Sequence, residues 1–193
     1  MVKILYYDIL NTKIETGDKM NTLNDFYNSI LNIKVHNSNA IKETIEHITL
    51  QTTNEVKKLS PNLEGFCKFL ASQIQEKLTA SSIRNYWLDL HDLINVDHVV
   101  LIAEYRTEEG MKRLLIDPSF TQFTKQENKK LLKFTEWPSE KIGDKTIVDD
   151  LTTTGVTEID NNRWQDYISS FSNDSVEINL NQILETKVER KIQ

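Results

Sequence analysis

Residues 98–117 read HVVLIAEYRTEEGMKRLLID. Two apolar runs, rich in β-branched and aromatic residues, flank TEEG, a short turn that ends in Gly110. This pattern predicts an antiparallel hairpin. Pro118 follows at once and ends the second strand, because proline has no N–H to donate to the ladder. The hairpin also carries chemistry. The start of one antiparallel strand lies beside the end of the next, so His98 and Asp117 are expected to be cross-strand neighbours.

Upstream, Phe66, Phe69, Leu70, Ile74 and Leu78 recur at helical spacing and predict a helix from about Phe66 to Thr79. Cys67 falls in its first turn, two residues after Gly65. Ser60-Pro61-Asn62 separates this helix from an earlier one, about Ala40 to Lys58, with Ile41, Ile45, Ile48 and Val56 on one face. A further helical pattern covers Thr22 to Ile33. Between the Cys67 helix and the hairpin, Trp87, Leu90 and Leu93 predict a loop or a short helix. Downstream, the chain is polar from Thr124 to Lys130. It then carries Trp137-Pro138 and a helical pattern with Trp164, Tyr167, Ile168 and Phe171. Residues 176–193 receive no assignment. The expected architecture is α+β, helices packed on an antiparallel sheet, in a single domain over residues 1–193. Residues 1–60 form its N-terminal helical part, 61–125 its catalytic core and 126–193 a C-terminal extension.

Composition narrows the function. The chain has 193 residues, 38% hydrophobic and 27% charged, which suits a globular domain with a sizeable core. The net charge is −6 and Lys and Arg nowhere form a long run, so a phosphate-neutralising face for nucleic acid is not expected. Apolar stretches such as Val99 to Ala103 are far too short to span a bilayer. The opening MVKILYYDILNTK lacks the long apolar run of a secretory signal, so the expected location is cytoplasmic, or exported without a classical signal peptide. One cysteine permits no internal disulfide and excludes a Cys-rich zinc site. His91 lies among Asp89, Asp92 and Asp97, but the spacing matches no established metal pattern and reads as a solvated loop. No metal or other cofactor is expected. His36 and His47 sit in polar contexts and read as surface groups. A serine-hydrolase GxSxG elbow is absent.

Three side chains then stand out. A lone cysteine is ordinarily a small buried hydrophobe. A His at a strand start is ordinarily structural, and an Asp before Pro is ordinarily a turn residue. Their order and setting suit a different use. Free thiols have a pKa of about 8.5, and a helix N-terminus and a neighbouring imidazolium both favour the thiolate. A carboxylate beside the imidazole can hold it by one nitrogen and leave the other facing sulfur. Cys67 is the candidate nucleophile, His98 the general base and acid, and Asp117 the orienting group.

The motifs EGFCKFLASQI (64–74), DHVVLIAEYR (97–106) and LIDPSFTQF (115–123) together resemble the papain-like and transglutaminase-like superfamily. The third is the most specific. It resembles the hydrophobic-Asp-Pro-x-Phe segment around the catalytic Asp of papain-fold bacterial effector and toxin proteases and of related glutamine deamidases. The resemblance covers about a third of the chain, Asn62 to Phe123. It implies a papain-like or transglutaminase-like core with Cys67, His98 and Asp117 as a catalytic triad. It implies a thiol hydrolase or acyl transferase acting on amide bonds of a protein or peptide substrate. The backbone N–H of Cys67 would supply part of an oxyanion hole. Papain places a Gln before its cysteine for the second donor, whereas residues 61–66 hold none. Asn62 and Gln122 are the oxyanion or cleft candidates. Peptide cleavage, glutamine deamidation and acyl transfer share this chemistry and stay open, as does a non-catalytic protein-interaction module on the same fold. Trp137, Trp164 and Tyr167 read as core packing first and as groove-lining residues second.

Overall fold

The computed structural model describes residues 23–172 and 177–189, with side chains for 40–172 and 177–187. Sequence features in residues 1–22, 173–176 and 190–193, and the apolar face of Thr22 to Ile33, lie outside the described side chains. The chain divides into two units, Met1–Asn37 and Ser38–Gln193, and the sheet and the candidate site belong to the second.

The fold is α+β. Helix α1 spans Leu23–Lys57 and α2 spans Cys67–Ala80. Strand β1 (Arg84–Asp89), a short α3 (Leu90–Ile94), β2 (Val99–Thr107) and β3 (Gly110–Ile116) follow. Two 3-10 turns, Pro118–Phe123 and Gln126–Lys130, lead into α4 (Pro138–Lys141) and α5 (Lys145–Thr153). Strand β4 (Val156–Glu158), α6 (Asn161–Ser169) and α7 (Leu180–Glu189) complete the described chain. The four strands form one antiparallel sheet in the order β1-β2-β3-β4.

Helices cover both faces of this sheet. Val99, Leu101, Ala103 and Tyr105 of β2 pack with Ile45 of α1 and Ala71, Ile74 and Leu78 of α2. Val100 and Ile102 point the other way, into a larger cluster with Phe120, Trp137, Trp164 and Tyr167. Alternate residues of a strand face opposite sides, so a strand covered on both sides reads as an unbroken apolar run. That is why HVVLIAEYR shows no polar alternation. Each Leu or Ile fully buried here contributes about 1.5–3 kcal/mol.

Two expectations change. Separate helices were expected over Thr22–Ile33 and Ala40–Lys58, but the backbone is helical throughout Leu23–Lys57. The intervening KVHNSN holds neither Pro nor Gly, so nothing in it forces a break. The segment around Trp87, expected as loop or short helix, is strand β1 followed by α3. Strand β1 lies at the sheet edge and carries a buried Asn85 that its composition makes hard to read as strand. The Asn85 amide accepts from Gln75 Nε2 at 3.1 Å and donates to the Ile83 carbonyl at 2.9 Å, which permits its burial.

Strand β4 fixes the end of β3. The Asp117 N–H donates to the Gly155 carbonyl at 2.8 Å, just before β4. Gly155 has φ +74°, and a Cβ there would stand 2.8 Å from Pro118 Cα and 3.2 Å from Thr49 Cγ2. Only glycine allows this approach without strain. Gly155→Ala should therefore destabilise the protein by about 1–3 kcal/mol, read as a lower urea midpoint. An unchanged midpoint would show that this contact does not constrain the Asp117 turn.

Candidate active site

Cys67 is the first residue of α2. The turn before it contains two left-handed residues, Leu63 at φ +58° and Gly65 at φ +72°. Leu63 tolerates that conformation because its side chain is fully buried with Val56 and Leu70. Phe66 occupies the N-cap and offers no side-chain hydrogen bond. The first N–H groups of α2 thus lack both an intrahelical acceptor and a side-chain cap, and they lie at the cysteine. The helix packs against β1, β2 and the 3-10 turn that follows β3, which carries its first residue to the end of the sheet.

His98 immediately precedes β2. Its carbonyl accepts from the Leu90 N–H at 2.8 Å, and its N–H donates to the Val96 carbonyl at 2.7 Å. Asp117 immediately follows β3. The β2–β3 register pairs Leu101 with Ile116, so one further step sets Asp117 opposite Val100 and diagonal to His98. Residues two apart on a strand share a face, so the two side chains meet. His98 Nε2 lies 2.8 Å from Asp117 Oδ2. The contact is sealed, with His98 1% and Asp117 0% exposed.

Two further groups complete the carboxylate. Tyr167 donates its hydroxyl to Asp117 Oδ2 at 2.7 Å, and Ser119 donates to Oδ1 at 2.9 Å. Aromatic rings frame the imidazole. Phe171 stacks on it with centroids 5.6 Å apart, and Phe123 meets it edge-on at 5.2 Å.

Burial alone would drive the imidazole toward its neutral form. The charge and hydrogen bond of Asp117 outweigh burial, Cys67 adds in the same direction, and together they raise the His98 pKa from 6.5 to about 10. Burial and the same carboxylate hold the Tyr167 phenol well above its ordinary range, so it remains a donor. The contribution of Cys67 to His98 places the thiol within interaction range of the ring. No well-formed hydrogen bond closes between them: His98 Nδ1 is buried and lacks a partner. Since Nε2 is taken by Asp117, Nδ1 is the nitrogen left for sulfur.

Among the candidate residues, Cys67, His98 and Asp117 converge. Gln122 is buried in the 3-10 turn with its carbonyl accepting from Asn128 Nδ2 at 3.1 Å. Asn62 is half-buried in the turn before α2. Among the described residues no hydrogen bond ties either side chain to Cys67. His91, Asp89 and Asp92 form the start of α3, in which Asp89 accepts from the His91 N–H at 3.0 Å. Trp137, Trp164 and Tyr167 are core residues, and Tyr167 is also a site residue. Sequence spacing hides this second role, because Tyr167 lies 50 residues from Asp117. Ser119 carried a local signal, being two residues after the Asp with a side chain suited to that short reach.

The ion pair between Lys68 Nζ and Asp97 Oδ1, 2.8 Å long, links the residue after Cys67 to the residue before His98. Both partners are exposed, so it contributes little stability. Two concavities, of about 430 and 230 Å³, lie elsewhere. Arg113, Arg163 and Asn181 help line the larger, and Leu88, Leu93 and Ile183 the smaller. Cys67 itself is 9% exposed.

A raised folded-state His98 pKa stabilises the fold fully below pH 6.5, and that stabilisation is lost as pH rises toward about 10. The wild-type Tm should fall by several degrees across this window, and His98→Gln should flatten the slope. Parallel profiles for the two proteins would contradict the buried imidazolium.

Compared with known proteins, the chain matches no family model, no curated protein and no solved structure.

Proposed function

We propose that this chain is a cysteine-dependent hydrolase or acyl transferase that acts on amide bonds of a protein or peptide substrate. The observation that supports it is the buried series Tyr167–Asp117–His98, whose last ring has one nitrogen unpartnered and Cys67 in interaction range.

In this reading the Cys67 thiolate attacks a carbonyl carbon. A C–S bond forms and the carbonyl π pair moves to oxygen, where the uncapped N–H groups of α2 face it. The intermediate collapses, the C–N bond breaks, and His98 gives its proton to the departing amine or ammonia. A thioester remains on Cys67. Water then attacks, His98 takes its proton, and the acid leaves as the thiolate returns. Ammonia as leaving group makes the reaction a glutamine deamidation, an amine from the backbone makes it proteolysis, and an amine acceptor in place of water makes it acyl transfer. The papain-like or transglutaminase-like resemblance of residues 62–123 points to bacterial effector or toxin enzymes, and hence to a protein of another cell as substrate. The short Cys-to-His interval favours a minimal core over a two-lobed protease, and so weakly favours deamidation or acyl transfer.

A second reading, a protein-interaction module with a silent triad, is supported by the low exposure of Cys67. Intact-mass analysis of glutamine-containing peptide libraries separates the two. The expected result is a gain of about one dalton or new termini, abolished by Cys67→Ala and reduced less by Asp117→Ala than by His98→Ala. Turnover by Cys67→Ala at the wild-type rate would end the catalytic reading.

A further inference from the structure

Tyr167 packs its ring against Trp164, Phe120 and Phe171, with centroids 5.9, 6.3 and 5.1 Å away. A phenylalanine would fill that space equally well. The hydroxyl is therefore the part of the side chain that core packing does not require. It ends on Asp117 Oδ2, the oxygen that also meets His98 Nε2. Ser119 holds the opposite oxygen. A carboxylate can otherwise rotate about its last bond over a broad range, and here donors pin both oxygens. Phe171, one helical turn beyond Tyr167, stacks on the His98 ring. The end of α6 and the turn that follows it thus control both the plane of the imidazole and the partner of its Nε2.

We propose that Tyr167 is a positioning residue: its hydroxyl fixes the Asp117 carboxylate, the carboxylate fixes the His98 ring, and the ring thereby presents Nδ1 to Cys67. The proposal rests on Cys67 being the nucleophile. Hydrogen bonds to a buried carboxylate stabilise its charged form, and that charge supports the imidazolium. Loss of the hydroxyl leaves this carboxylate one donor short in a site closed to water.

The test uses the full chain and iodoacetamide, with incorporation followed by intact mass as a function of pH. The single cysteine makes every label a Cys67 label. Wild type should alkylate at pH 6 much faster than His98→Ala. Tyr167→Phe should keep the fold and react like wild type at pH 9. At pH 6 it should be slower than wild type by about tenfold, the size expected for a hydrogen bond to a charged group. General loosening of the core would move both ends of the profile together. A Tyr167→Phe profile superimposed on wild type would overturn the positioning role while leaving the nucleophile intact. A wild-type profile identical to that of His98→Ala would overturn both. Should Tyr167→Phe not fold, replacing tyrosine with 3-fluorotyrosine carries the same test. Its more acidic phenol donates more strongly to Oδ2, and an unmoved pH 6 rate would again overturn the proposal.

Discussion

The buried contact between His98 and Asp117 is the constraint around which the site is arranged. Removing a carboxylate and an imidazole from water is unfavourable unless each finds partners. The chain supplies them from distant places. Ser119 comes from the turn after β3, Tyr167 from α6, and the Gly155 carbonyl receives the Asp117 N–H from the approach to β4. Aromatic rings of Phe123 and Phe171 then close the pair off from solvent. Each of these groups is placed by a secondary-structure end, so the geometry of the pair inherits the rigidity of the sheet and its covering helices.

The same layout explains how Cys67 and His98 come together from different layers. The imidazole and carboxylate belong to the ends of β2 and β3, in the middle of the sheet. Cys67 arrives on a helix that packs across β1 and β2, with its N-terminus at the same edge. Helix N-termini favour negative charge, and strand ends present side chains beyond the last ladder bond. Sulfur therefore lies within interaction range of the ring, at a helix start whose first N–H groups lack an intrahelical acceptor.

The hairpin was legible because its two apolar runs and its Gly110 turn are local. The position of Cys67 in the first turn of a helix was legible because the 3.6-residue period from Phe66 to Leu78 is unbroken. Asp117 and His98 followed from the register of adjacent strands. Strand β1 was not legible, since an edge strand six residues long with a buried, side-chain-satisfied Asn85 mimics a loop in composition. Tyr167 was visible as a core position of a helix, with groove lining as a second reading, but not as a partner of Asp117. Its second role depends on how α6 packs back over the sheet, and no local pattern encodes that long-range return. Neither was the long helix Leu23–Lys57 legible as one piece, because polar residues between two amphipathic stretches look like a connection.

The central claim is that His98 is held as an imidazolium between Asp117 and Cys67. Nitrogen-15 NMR of the histidine rings tests it most directly, with His98 assigned by its loss in His98→Gln. The account predicts that both ring nitrogens of His98 are protonated at pH 7.5 and remain so until the pH nears 10. A neutral ring that titrates near the ordinary value of 6.5 would contradict it.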